Sequence, residues 1–120
     1  MAIHNDFGKE AEKKAMEFLL SAGYEILETN WRYQKSEIDI IAAKDNRLII
    51  IEVKARSYDD VLSPEEAVNH KKKKLLILAA DAYVTQNDWE VDVRFDIISI
   101  LKQDNKWIIS HIEDAFNSVS

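Results

Sequence analysis

Two β-branched runs, Glu37-Ile-Asp-Ile-Ile-Ala-Ala43 and Leu48-Ile-Ile-Ile-Glu-Val-Lys54, flank the short segment Lys44-Asp-Asn-Arg47. Asp and Asn tolerate the left-handed backbone that a tight turn demands, so the whole stretch reads as a β-hairpin. A turn centred on Asp45-Asn46 opposes Lys44 to Arg47 and, counting outward, Asp39 to Glu52 and Glu37 to Lys54. Strand side chains alternate, so these four polar groups share a face with Ile41, Ala43, Leu48 and Ile50. The other face then carries Ile38, Ile40, Ile49, Ile51 and Val53. Apolar residues on both faces predict a buried sheet with a polar cluster at one end. One residue more in the turn would reverse the faces of one strand and dissolve the cluster.

The remaining segments supply the layers that such a sheet needs. Ala11, Ala15, Phe18, Leu19 and Ala22 follow helical spacing, which predicts a helix over about 6–22, capped by Asn5 or Asp6 and stopped by Gly23. Residues 24–30 alternate weakly and predict a short strand beside the hairpin. Ser63-Pro64-Glu65-Glu66 combines an N-cap, a first-turn proline and a capping-box glutamate. It opens a second helix to about Thr85, with the stripe Val68, Leu75, Leu76, Ala79 and Tyr83. Two further β-rich runs, 91–101 and 106–112, flank Gln103-Asp104-Asn105 as a second hairpin. Trp89, Trp107 and Phe116 suit packing roles around it, with a frayed end from Asn117 to Ser120. The order αβββαββ in 120 residues fits one α/β domain spanning 1–120.

Composition narrows the chemistry. The chain has no cysteine, and His4, His70 and His111 lack metal-ligand spacing, so a metal would have to be held by oxygen. The start, MAIHNDFGKE, has no apolar signal core, and the run Leu48–Val53 is too short to span a bilayer. A cytoplasmic protein without membrane contact is the expectation.

Carboxylates directly opposed across a strand pair repel, unless a proton or a cation stands between them. Mg²⁺ or Mn²⁺ takes oxygen ligands and is commonly held by one or two carboxylates together with water and substrate phosphate. Asp39 and Glu52 are therefore candidate ligands, with the backbone carbonyl of Val53 as a third oxygen. Lys54 projects from the same face as Glu52, where an ammonium can orient a water or stabilise charge growing on a phosphate. Glu12 flanks the apolar stripe of the first helix and is a further candidate ligand or water-positioning base. Spacing alone equally allows Glu37–Lys54 as an ordinary cross-strand ion pair and Asp39 and Glu52 at a solvated sheet end.

Asp39 followed by Glu52-Val53-Lys54 after a short hairpin resembles the PD-(D/E)XK signature of the restriction-endonuclease-like superfamily. More of the chain, from about Gly8 to about Ile100, resembles the YraN-type family of uncharacterised bacterial proteins, which are similar to Holliday-junction resolvases. The likeness rests on Gly8-x-x-Ala11-Glu12-x-x-Ala15, Asn30-x-Arg32, Glu37-Ile38-Asp39-Ile40-Ile41-Ala42, Glu52-Val53-Lys54-x-Arg56, Lys72 and Arg94-Phe95-Asp96. Ala11 and Ser36 stand where that pattern usually has glycine. The resemblance implies a restriction-endonuclease-like three-layer fold, a metal site at Asp39 and Glu52, Lys54 as the catalytic lysine and Glu12 as the helix-borne acid. It also implies metal-dependent hydrolysis of DNA, branched DNA included, and a homodimer suited to two-fold-symmetric junctions.

The net charge of −6 opposes a broad nucleic-acid interface, so DNA contact would need a local basic rim. Arg32, Lys35, Lys54 and Arg56 lie in segments converging on the cluster, and Lys71-Lys72-Lys73-Lys74 adds a helical turn of lysines. Lys72 shares the stripe of Leu76 and Ala79, which singles it out with Arg32 and Arg56 as a candidate DNA contact. Trp31 and Tyr33 could stack on bases or simply pack at a strand end. The competing class is a non-catalytic module that retains the fold and binds nucleic acid or protein. Hydrolysis of another phosphate ester is a second enzymatic alternative, although no Gly-rich phosphate loop is present.

Overall fold

The computed structural model of the chain describes residues 2–57 and 70–117. The elements run α1 (Ala2–Ser21), β1 (Glu25–Tyr33), β2 (Ser36–Lys44), β3 (Arg47–Ser57), α2 (His70–Gln86), β4 (Asp92–Gln103) and β5 (Lys106–Phe116). This is the expected order, and it builds a five-stranded mixed sheet in the order β1-β2-β3-β4-β5. Neighbouring strands are antiparallel except β3 and β4, which pair in parallel from Arg47↔Asp92 to Ser57↔Lys102. A parallel pair needs a crossover, and the connection that contains α2 provides it.

Each helix covers one face of the sheet, giving three layers. Ala11, Ala15 and Leu19 of α1 pack on Ile40, Ala42, Ile49, Ile51, Ile98 and Ile100. Leu76, Ala79, Ala80 and Tyr83 of α2 pack on Ile38, Ile41, Leu48, Ile50 and Ile97 from the other side. Small residues on α1 let its backbone approach the β-branched surface closely. Each buried isoleucine contributes about 2 kcal/mol of transfer free energy. Coverage on both faces explains why Leu48–Ile51 is apolar without alternation.

Turn chemistry sets the register. Asp45 and Asn46 have φ of 52° and 63°, the two left-handed residues of a type I′ turn, and the ladder runs from Lys44↔Arg47 to Ile40↔Ile51 as the symmetric count predicts. Helix α1 ends in a Schellman motif at Gly23 (φ 91°), where Tyr24 N donates to Leu19 O at 2.9 Å and Gly23 N to Leu20 O at 3.1 Å. Lys44 donates to Ala22 O at 2.7 Å, placing a cation at the negative end of the helix. Asp88 (φ 49°) closes α2 in the same manner, with Trp89 N donating to Val84 O at 3.0 Å.

Several expectations change. Helix α1 begins at Ala2, ahead of the cap expected at Asn5 or Asp6, and Ala22 is exposed because the Schellman turn lifts it off the sheet. Strand β1 runs on through Trp31, Arg32 and Tyr33 because β2 extends to Ser36 and pairs with them. Strand β5 continues to Phe116, which stacks on Phe95 at 5.1 Å. Trp107 stacks on Phe7 and Trp89 packs against the α2-side core, as packing roles require. Ile38 lies with Ile41 on the α2 side instead of with Ile40, so the alternation of β2 slips at Asp39. The caps expected at residues 63–66, Val68 of the α2 stripe and the frayed end at 118–120 lie outside the described residues.

Candidate active site

The slip in β2 creates the site. The β2–β3 ladder stops at Ile40↔Ile51, and one step further the Asp39 side chain replaces a backbone carbonyl: Val53 N donates to Asp39 Oδ2 at 2.8 Å. Across the sheet, β1 passes Asp39 at Asn30, between Thr29↔Ile40 and Trp31↔Ile38. Asn30 adopts φ 51° there and donates from Nδ2 to Glu12 Oε1 at 3.1 Å, tying α1 to this end of the sheet. Glu12 is a charge that Asp39 feels.

Glu52 continues the Leu48 and Ile50 face of β3, so it points towards α2 and is 3% exposed. Lys54, two residues along, reaches it at 3.2 Å, and Lys72 Nζ of α2 contacts the same oxygen, Glu52 Oε2. Burial, the negative charge of Glu52 and, less strongly, that of Glu12 push the Asp39 carboxyl from 3.8 up to about 8, against the opposing hydrogen bond from Val53. Burial and the adjoining Lys72 draw the Lys54 ammonium below its usual value. Burial opposes the charge on Lys72 as well, but its contacts with Glu52 carry its pKa above the ordinary range.

Of the sequence-predicted residues, Asp39, Glu52, Lys54 and the Val53 backbone converge, Lys72 joins them through Glu52, and Glu12 stands on the α1 side, bonded to Asn30 and felt by Asp39 only as a charge. Glu37 turns to Arg32 at 3.3 Å instead of to Lys54, because the β2–β3 ladder has already ended where those two would meet. Arg32 stands exposed on the edge strand and Arg56 is half-buried near the end of β3, opposite Leu101. Asn30 enters the family likeness in Asn30-x-Arg32 without an assigned role; the signal for its role is an asparagine inside a strand, a residue type enriched at positive φ.

The oxygen donors suit a hard divalent cation, since Glu52 is buried, Asp39 is half-buried beside it and the two carboxyls interact directly. Among the described residues, no three His, Cys, Asp or Glu side chains cluster as a ready-made metal cage. Two carboxylates are sufficient for Mg²⁺, which keeps part of its water shell.

A second polar network stands apart from these carboxylates. Asp96, fully buried, accepts from Arg94 Nε at 2.9 Å, Arg94 Nη2 at 2.8 Å and Asp114 N at 3.0 Å, and pairs with His111 Nε2 at 2.7 Å. Burial alone would raise its pKa, but the bonds from His111 and Arg94 hold the carboxyl below its ordinary range. The group anchors the β4–β5 irregularity between Phe95 and Ile97.

Among the described residues, no helix is long and apolar enough to cross a membrane. The chain is 52% identical over 116 residues to a UPF0102 protein of Flavobacterium psychrophilum, covering 97% of this chain and 98% of that one. It is 48% identical over 116 residues to a UPF0102 protein of Parabacteroides distasonis, covering 97% and 96%. A UPF0102 protein of Christiangramia forsetii is 47% identical over 116 residues, with 97% and 98% covered. The model of the uncharacterised protein family UPF0102 matches residues 11–100, from the site-facing part of α1 to the middle of β4, and the chain belongs to that family, the YraN-type group its sequence resembles.

Proposed function

We propose that this protein is a cytoplasmic, metal-dependent endonuclease that hydrolyses phosphodiester bonds of DNA, branched DNA included. The observation that carries the reading is the half-buried Asp39 beside the buried Glu52, with Lys54 two residues along the same strand as Glu52. Asp39 and Glu52, with the Val53 carbonyl, would hold Mg²⁺ or Mn²⁺. Such an ion would supply Lewis-acid stabilisation of a phosphoryl oxygen and acidify water. Lys54, whose pKa is drawn down by burial and by Lys72, would orient the attacking water as the ammonium, and its neutral amine form could take up the water's proton at Nζ. Glu12, held by Asn30, positions that water from the α1 side. Lys72 keeps its proton and, beside Glu52, would offer positive charge to a phosphate. Arg32 and Arg56 contribute further backbone contacts.

The test is cleavage of labelled branched, single-stranded and duplex DNA with Mg²⁺ or Mn²⁺, comparing the wild type with Asp39→Ala. Metal-dependent cleavage that disappears in the variant supports the reading and identifies the substrate. No cleavage of any substrate by the wild type refutes it. One observation favours a non-catalytic binding module: Lys54 and Lys72 both neutralise Glu52 at the same oxygen. That module would bind DNA equally with and without divalent ions. A homodimer accompanies the resolvase-like reading, and sedimentation at a single-chain mass at all concentrations would count against it.

A further inference from the structure

A groove of about 300 Å³ opens on the α2 face between the β1–β2 turn and the first turns of α2. Lys35, Lys71 and Lys72 line it, Leu75 and Leu76 form its apolar side, and Ser36 and Glu37 complete it. Glu37 is already countered by Arg32 at 3.3 Å, so the local balance is basic in a chain of net charge −6. Lys72 touches Glu52 and so joins the groove to the carboxylate pair.

Aromatic surface adjoins this rim. Trp31 and Tyr33 lie opposite Ile38 and Ser36 in the β1–β2 register, which places all four on the α2 face. The two rings stack with centroids 6.3 Å apart and planes 3° from parallel, and Trp31 is braced edge-on by Tyr83 at 5.1 Å. Basic side chains along a narrow groove beside a braced aromatic pair form the arrangement that binds unpaired nucleic acid: lysines meet phosphates and rings stack on bases. A duplex keeps its bases stacked inside and offers Tyr33 no π-face.

We infer that this groove receives a single nucleic-acid strand, with phosphates against Lys35 and Lys71 and bases towards Tyr33 and Trp31, and leads it to the Asp39–Glu52 pair. The inference rests on the hydrolytic reading above and adds the form of the substrate: the strand at the site is unpaired, as in a flap, a gap or an opened junction.

Fluorescence anisotropy in EDTA, without turnover, tests it with a labelled DNA strand, the matching RNA strand and the matching duplex. The proteins are wild type, Lys35→Ala/Lys71→Ala, Tyr33→Leu and, as a control on the opposite sheet edge, Lys106→Ala, with thermal unfolding to confirm folding. The wild type binds a single strand more tightly than the duplex, and the DNA and RNA arms decide which sugar is preferred. Lys35→Ala/Lys71→Ala weakens strand binding on the order of tenfold and lowers the slope of log affinity against log salt by about 1.4, two phosphates at about 0.7 each. Tyr33→Leu weakens binding about tenfold with the salt slope unchanged, because a stacking contact releases no counterion. Lys106→Ala binds as wild type. Preference for the duplex, wild-type binding by the double lysine variant, or no strand binding at low salt overturns the inference. Metal-dependent cleavage with unaltered binding in the lysine variant sinks the groove and leaves hydrolysis standing; groove-dependent binding without cleavage does the reverse.

Discussion

Replacing Asp39 by asparagine is expected to stabilise the metal-free protein while abolishing metal binding. Burial and the adjacent Glu52 raise the Asp39 carboxyl from its ordinary 3.8 to about 8. The unfolded chain therefore releases this proton near pH 4, whereas the folded chain holds it until about pH 8. In that window the folded state binds more protons, so the contribution of Asp39 is complete below pH 4 and is lost as pH rises through about 8. At pH 7 the interval above 3.8 corresponds to about 4 kcal/mol at about 1.4 kcal/mol per unit. Partial solvent access and movement of Lys72 reduce this to about 2 kcal/mol. An amide is a fair copy of the protonated carboxyl: its oxygen accepts from Val53 N and its NH₂ donates to Glu52. Urea unfolding in EDTA at pH 5, 7 and 9 measures the effect. Asp39→Asn should nearly match the wild type at pH 5 and gain about 2 kcal/mol by pH 7, with the larger gain at pH 9. Destabilisation at every pH, or a gain independent of pH, would refute the burial argument.

Asp96→Ala removes the acceptor shared by Arg94, His111 and Asp114 N and leaves the Arg94 guanidinium without its buried counter-charge; urea unfolding should register a loss of about 3–5 kcal/mol. Because the folded pKa of Asp96 is depressed, its stabilisation is present above the unfolded carboxylate pKa and is lost as pH falls through the lower folded value. Wild-type acid unfolding should therefore begin at a lower pH than that of Asp96→Asn. Ile98→Ala opens a cavity under α1 where the side chain is fully buried, and should cost about 2–5 kcal/mol in the same assay without altering Mn²⁺ affinity.

The hairpin was legible because Asp45-Asn46 dictates a type I′ turn and a two-residue turn fixes which residues oppose. From that register the meeting of Asp39, Glu52 and Lys54 followed. The sequence did not disclose how they meet. A strict alternation puts Ile38 with Ile40, but positive φ at Asn30 and the diversion of Val53 N to the Asp39 carboxylate break the pleat. The same break sent Glu37 to Arg32. Lys72 was visible as the lysine aligned with the apolar stripe of α2, yet its contact with Glu52 depends on where the crossover sets the helix, a tertiary fact that local periodicity does not encode. The family resemblance located the acidic pair and the lysine, and the match over residues 11–100 places the chain among relatives that carry no assigned activity in their names.

The central claim is that Asp39 and Glu52 together hold a divalent cation, and calorimetric titration of Mn²⁺ into wild type and Asp39→Asn at pH 7 and pH 8 tests it most directly. Wild type should bind Mn²⁺ with higher affinity at pH 8, releasing up to one proton as the Asp39 carboxyl ionises, while Asp39→Asn shows no saturable heat. Equal binding by both proteins, or none by the wild type at either pH, would contradict the account.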